Sequence, residues 1–139
     1  TLNVINKMNR TPEQAAALLE NDDGGPIAMV NLIKYRDKAV YEDGRDTQLT
    51  GREAYAIYGA GVSEMIHKLG GHIDYSGYIV GMCVGEVEEL WDSIAVANYP
   101  SLQSFLDMTS SPEWQAIAVH RSAGISGQLN IAARSPSSA

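Results

Sequence analysis

The feature that most constrains this chain is a set of strand-length segments that are apolar on both faces. Side chains along a strand alternate between the two faces of its sheet, so a sheet wet on one side alternates apolar with polar residues. Ile27 to Tyr35 breaks that pattern: Ile27, Met29 and Ile33 fall on one parity, and Ala28, Val30 and Leu32 on the other. His72 to Val84 sets Tyr78, Val80 and Met82 against Ile79 and Cys83. Trp91 to Tyr99 sets Ala95, Ala97 and Tyr99 against Ile94 and Val96. Both faces of the sheet therefore need cover.

Helical signals supply half of that cover. Thr11-Pro12-Glu13-Gln14 opens a short helix that runs to Glu20, with Thr as N-cap, Pro in the first turn and Gln closing a capping box. Thr50-Gly-Arg-Glu53 opens a longer one, with Ala54, Tyr58, Gly61, Val62, Met65 and Leu69 at helical spacing and Gly70-Gly71 ending it. Pro100-Ser101 caps a third helical stretch, Ser111-Pro112-Glu113 restarts it as far as Gly124, and Gln128 to Ala133 forms a fourth strand. Without the N-terminal helix the order is β-α-β-β-α-β. This predicts an α+β, ferredoxin-like fold: an antiparallel four-stranded sheet with both helices on one face. The other face then needs either the N-terminal helix and tails or a second copy. Two turns of helix cover only part of a four-stranded sheet, so a homodimer packed sheet to sheet, a dimeric α/β barrel, is expected. The expected organisation is one domain over 1–139, with an N-terminal extension (1–25), a core (26–134) and a flexible tail (135–139).

Composition narrows the function. At 139 residues the chain can bury a core without staples. Its one cysteine, Cys83, allows no internal disulfide, and in an apolar run it is expected to be buried and reduced. Three scattered histidines and one cysteine lack metal-ligand spacing. No glycine-rich phosphate loop follows a strand, and haem would need one of His67, His72 or His120, so no cofactor is expected. The net charge of −7 disfavours nucleic acid. No apolar run approaches the roughly 18 residues of a membrane helix, and Thr1 to Arg10 lacks a secretory pattern, so a cytoplasmic protein without a membrane partner is expected.

From Tyr55 to Ile131 the chain resembles the "domain of unknown function 1330" family of the dimeric α/β-barrel superfamily. The matching residues are Tyr55-x-x-Tyr58, Gly70-Gly71, Glu88-x-x-Trp91, Tyr99-Pro100-Ser101, Ser111-Pro-Glu-Trp114-Gln115 and Arg121. Asn31-Leu32-Ile33-Lys34-Tyr35 is similar to a run in a longer branch of the family. Glu89 and Trp114 stand where the family usually has Gly and Tyr, changes expected to reshape a pocket mouth. The resemblance implies the fold and the dimer but little chemistry.

The residues themselves offer candidates, each with a plainer reading beside it. Asn31, Asn98 and Asn130 are amides within apolar strands, suited to orienting a ligand's polar group or to bonding the backbone. On parity, Gly77, Gly81 and Gly85 are expected to face the helices. His72, Asp74, Ser76 and Tyr78 are then expected to face the dimer interior. Neighbours on one strand face sit roughly 6.5–7 Å apart, too far for a His-Asp-Ser relay, which leaves His72 as a lone acid–base candidate or a strand-edge residue. Glu88 and Arg121 suit an ion pair, or Arg121 a substrate carboxylate. Tyr35, Tyr55, Tyr58 and Tyr78 suit an aromatic-lined pocket or ordinary packing, and Asp92, after Trp91, faces either the interior or solvent. The 36–49 segment reads as a lid or a mobile loop, with Tyr41 reaching toward a site. His72, Asn31, Glu88 and Arg121 are thus the catalytic candidates, and Tyr35, Tyr58, Tyr78, Trp91, Asp92, Asn98 and Asn130 the binding ones. The pocket is expected near Asn31 and His72, between helices and sheet or inside the dimer barrel. Its chemistry is binding or cofactor-free conversion of a small, mostly apolar carbonyl or aromatic compound, of isomerase, cyclase or monooxygenase type. A non-catalytic ligand-binding or assembly module is the competing reading.

Overall fold

The computed structural model describes residues 3–136, so most of the expected tail lies outside the described residues. Strands β1 (Ile27–Tyr35), β2 (His72–Tyr78), β3 (Ser93–Tyr99) and β4 (Ile125–Ala133) form one antiparallel sheet in the order β2-β3-β1-β4. Helix α1 (Pro12–Glu20) precedes the sheet, α2 (Gly51–Lys68) joins β1 to β2, and α3 (Leu102–Thr109) with α4 (Pro112–Gly124) joins β3 to β4. This is the ferredoxin-like order. The capping boxes at Thr11 and Thr50 both form, each side chain satisfying an N-terminal backbone donor.

The core sits between α2–α4 and one sheet face. Ile27, Met29, Ala97 and Tyr99 from the sheet pack with Ile66, Leu102 and Met108. Where the two long helices cross, a β-carbon on Gly124 would lie 2.5 Å from the Gly51 carbonyl oxygen and 2.8 Å from the Tyr55 nitrogen. Only glycine fits there, and the close crossing brings Tyr55 of α2 near Arg121 of α4.

The expected second strand is shortened and reversed in part. β2 ends at Tyr78 rather than at Val84, because β3 begins only at Ser93 and leaves the following residues no strand to pair with. A bulge at Asp74 interrupts the register between Ile73 and Tyr75. One extra residue exchanges the faces beyond it. Ser76 and Tyr78 therefore face the helices, whereas Tyr75 and Gly77 face away. Gly81 and Gly85 lie in the 79–92 loop with nothing near them, and Cys83 is exposed rather than buried.

The 36–49 segment is packed rather than lid-like. Ala39 bonds Leu49, Val40 bonds Ala123, and Tyr41 is buried against Ala54 and Ala123. The Tyr41 hydroxyl meets His120 Nδ1 at 2.6 Å, away from any site on the sheet.

Register assigns the sheet's two faces. The helix side carries Met29, Asn31 and Ile33, flanked by Asn130 and Gln128 of β4 and by Ala95 and Ser93 of β3. The open side carries Val30 and Leu32, flanked by Ile131 and Leu129 and by Val96 and Ile94. Ile131 is 49% exposed and Tyr75, beside Val96, is 61% exposed. The open face continues into the 79–92 loop, where Val80 is 100% and Val84 86% exposed. No described helix is long and apolar enough to cross a membrane.

Candidate functional site

Between α2–α4 and the sheet lies a cavity of about 1240 Å³, closed on one side by the N-terminal segment through Met8 and Leu18. Its floor is polar where the strands are otherwise apolar. Asn31 Nδ2 donates to the carbonyls of Met29 (3.2 Å) and Ala95 (3.3 Å), which fixes the amide's orientation. Asn31 Oδ1 then accepts from Asn130 Nδ2 (2.7 Å) and Gln128 Nε2 (3.2 Å). Gln128 Oε1 accepts from Arg121 Nη2 (3.0 Å) and Nε (3.3 Å). Arg121 Nη2 also donates to the Met8 carbonyl. A directed chain thus runs from the sheet backbone to a buried guanidinium.

Arg121 is only 9% exposed, yet among the described residues no carboxylate pairs with it. Burial pulls its guanidinium below the usual arginine range, while the Tyr58 and Tyr55 hydroxyls act in the opposite sense. Its Nη1 makes no bond to described protein atoms. Arg121 is part of the cavity lining, and Nη1 is the one of its three guanidinium nitrogens that the bonds above do not use.

The helix wall is aromatic. Tyr55 and Tyr58, one turn apart on α2, meet in a tilted contact with centroids 5.4 Å apart; Tyr35 lies 5.7 Å from Tyr55 and Trp114 lies 6.2 Å from Tyr58. Trp114 Nε1 donates to the Tyr58 hydroxyl at 3.1 Å, and Tyr35 shares a 2.9 Å hydrogen bond with Ser93. The Arg52 guanidinium covers the Tyr78 ring at 4.0 Å. The Tyr55 hydroxyl has no bonded partner among the described residues. Burial, then the neighbouring Tyr58, pushes its pKa well up, so it stays protonated. Burial raises Tyr58, Tyr99 and Tyr35 likewise.

Charge in the lining is one-sided. Among the described residues Lys7, Arg10, Arg52, Arg121 and Arg134 line the cavity, and no Asp, Glu, His or Cys does. Arg134 is paired with Asp22 and Asp23 at its mouth. This cationic lining sits in a chain of net charge −7.

Of the sequence candidates, Asn31, Asn130, Arg121, Tyr35, Tyr58 and Tyr78 are brought together here. Five are not. His72 and Asn98 lie on the open face at the sheet's end, where His72 Nε2 meets Asp74 Oδ1 at 2.7 Å and Asn98 bonds the same carboxylate. The bulge makes that contact possible between residues that regular spacing would hold apart, but Ser76 is turned to the other side. Glu88 is exposed and makes no pair with Arg121; its neighbour Glu89 bonds Lys34 at 3.2 Å instead. Trp91 Nε1 donates to Asn6 Oδ1 at 2.6 Å, tying the loop to the N-terminal segment. Asp92 accepts from the Tyr35 backbone N–H at 2.8 Å and holds the end of β1. Tyr55, read from sequence as a possible pocket-lining aromatic, is here too, whereas Gln128 and Arg52 were not among the sequence candidates. Gln128 is two residues before Asn130 on one strand, and that parity was the signal for it.

Among the described residues no three His, Cys, Asp or Glu side chains lie close enough to share a metal ion. No curated protein matches the chain. Among solved structures, methylated RPA0582 protein is 34% identical, with 96% of this chain and 98% of that one covered and a TM-score of 0.83. A second structure of RPA0582, described as a protein of unknown function from Rhodopseudomonas palustris, is 32% identical over 96% and 99% of the two chains, also with a TM-score of 0.83. At3g17210 from Arabidopsis thaliana shares the fold alone: 14% identity, 81% and 98% coverage, TM-score 0.53. Residues 45–134 match the family described as "Domain of unknown function (DUF1330)". A match over that much of the chain, with a relative at that identity along nearly its whole length, makes this protein a member of the DUF1330 family.

Proposed function

We propose that the helix–sheet cavity binds a small, mostly apolar molecule bearing a carboxylate or similar anionic head group, without a cofactor. The observation that carries this reading is Arg121: a buried guanidinium in the lining of an aromatic-walled cavity, with no carboxylate partner among the described residues and with Nη1 unused by its bonds to Gln128 and Met8. Burying a charge without a counter-charge is costly, and an anionic ligand would supply the missing partner through charge-assisted hydrogen bonds. The one-sided lining favours the same ligand class, and the tyrosines and Trp114 offer it faces to stack on. The protonated Tyr55 hydroxyl supports a second reading, in which the site also donates a hydrogen bond to a ligand carbonyl and polarises it toward isomerase- or cyclase-type chemistry.

The same reading includes a homodimer. The open face carries Val30, Leu32, Ile94, Val96, Leu129 and Ile131 in one patch, and each such side chain gains on the order of 0.5–2 kcal/mol when its remaining surface leaves water. A second copy laid on it by two-fold symmetry covers both patches at once.

Benzoate and its neutral isostere benzamide test the site, with binding followed by tryptophan fluorescence, to which Trp114 in the wall contributes. The wild type is expected to bind benzoate at least tenfold more tightly. Arg121→Met is expected to cost benzoate about 2–3 kcal/mol, as for loss of hydrogen bonds to a charged group, and to leave benzamide within threefold. Equal binding of the two probes by the wild type would sink the reading.

A further inference from the structure

We propose that Gln128 sets the charge preference of this cavity by orienting Arg121 with a neutral oxygen, leaving the guanidinium charge to a ligand anion. The inference rests on the anion-binding reading above and deepens it. A buried arginine is ordinarily held by a carboxylate, which fixes its orientation and cancels its charge together. Here the two roles are separated. Nε and Nη2 are both held by Gln128 Oε1, at 3.3 and 3.0 Å, and Nη2 by the Met8 carbonyl as well. Every one of these acceptors is uncharged.

The amide cannot exchange its ends. Gln128 Nε2 donates to Asn31 Oδ1 at 3.2 Å, and that oxygen is fixed because Asn31 Nδ2 donates to two backbone carbonyls. The Gln128 oxygen must therefore face Arg121. Gln128 is itself 9% exposed, so water does little to screen the arrangement. The groups facing Arg121 from α2 are the hydroxyls of Tyr58 and Tyr55, both held neutral by burial. Gln128 acts through Arg121 and is a positioning residue. Its near-isostere glutamate would offer the same oxygen with a negative charge, cancelling the guanidinium before a ligand arrives.

The test compares Gln128→Glu with Gln128→Met, using benzoate and benzamide as probes and thermal denaturation as a control on folding. Gln128→Glu is expected to lower the benzoate-over-benzamide preference tenfold or more while benzamide binding stays within threefold. Gln128→Met removes the acceptor without adding charge. It is expected to weaken benzoate several-fold yet keep the preference for it, a distinction that a purely structural role would not produce. Gln128→Glu retaining the full preference would overturn the proposal, and so would Gln128→Met losing it outright. In both cases the wild-type preference would still stand, and with it the anion-binding reading. A wild type with no preference would overturn that reading and this one together. Should Gln128→Glu not fold, the Gln128→Met result decides alone.

Discussion

On β1, Met29, Asn31, Ile33 and Tyr35 face the helices, while Ala28, Val30 and Leu32 face away. The helix-facing set places an amide in the middle of the sheet and bonds it completely, to two backbone carbonyls and two neighbouring amides. The outward set has no polar side chain at its centre; across it Val30 is flanked by Val96 and Ile131, and Leu32 by Ile94 and Leu129. Polar groups on that side lie at its ends, at His72, Asp74 and Asn98 on one and at Lys34, paired with Glu89, on the other. A central fixed amide beside an uncompensated arginine suits a ligand with a head group. An apolar centre with a polar edge is how protein–protein interfaces are built. One strand thus serves two surfaces of different chemistry, separated by its parity.

The largest effect should come from charging the apolar centre. Val96→Asp places a carboxylate in the middle of the open face, where burial in a dimer would strand it without a partner at about 3–5 kcal/mol or more. The variant is expected to scatter light as a species of 15.0 kDa at micromolar concentration, and the wild type as twice that mass. Benzoate binding should survive, because the cavity is on the other face. Loss of binding together with the dimer would break the separation of the two surfaces.

Next is Gly124→Ala, aimed at the helix crossing behind the cavity. A β-carbon 2.5 Å from one backbone atom and 2.8 Å from another forces α2 and α4 apart. About 2–4 kcal/mol of stability should be lost in denaturant unfolding, as for other overpacked sites. The dimer should be spared, and the Tyr55–Arg121 arrangement should not.

These two surfaces were unequally legible in the sequence. The apolar parity of β1 and β3 announced two apolar faces, and the capping boxes at Thr11 and Thr50 placed two helices correctly. Asn31 stood out as an amide in an apolar strand and Arg121 as a match to the family pattern, and the structure joins them through Gln128. The errors share a physical origin. Parity is reliable only while a strand is regular, and the bulge at Asp74 turned Ser76 and Tyr78 toward the cavity and left His72 behind on the open face. β propensity in Val80, Met82 and Val84 suggested a longer strand, but a strand needs a neighbour, and none is available beyond Tyr78. Sequence also does not say where long side chains end. Glu88 was offered as an ion-pair partner for Arg121 because both match the family pattern, whereas Nε and Nη2 of Arg121 are taken by Gln128 and Met8.

A subtler effect separates the aromatic wall from the rest of the molecule. Tyr55, Tyr58 and Tyr99 are held protonated by burial, above the ordinary tyrosine value of 10.0. In the unfolded chain they ionise near that value. Their contribution to stability is therefore fully present below pH 10.0 and is lost as pH rises above it, because the unfolded state then releases protons that the folded state retains. Each such tyrosine costs up to about 1.4 kcal/mol per pH unit in that range. An ultraviolet titration of the phenolate band should show a late-titrating group of tyrosines whose ionisation coincides with unfolding. Bound benzoate should delay that unfolding if it sits against this wall.

The smallest expected effect is the one that separates the sequence's leading acid–base candidate from the site. His72 is on the open side of the sheet, its side chain 62% exposed, bonded to Asp74 and absent from the cavity lining. Asn31 sits on the other side, at the centre of the amide chain. Replacing His72 with Ala removes one exposed contact with Asp74, worth about 0–1 kcal/mol, and should leave benzoate binding within twofold. Asn31→Ala takes from Gln128 the acceptor that fixes its orientation and frees the Gln128 amide to turn its donors toward Arg121. Benzoate binding should then fall several-fold without loss of the dimer. If His72→Ala were the variant that lost binding, the ligand site would belong to the open face, and the division of labour along β1 would be the wrong way round.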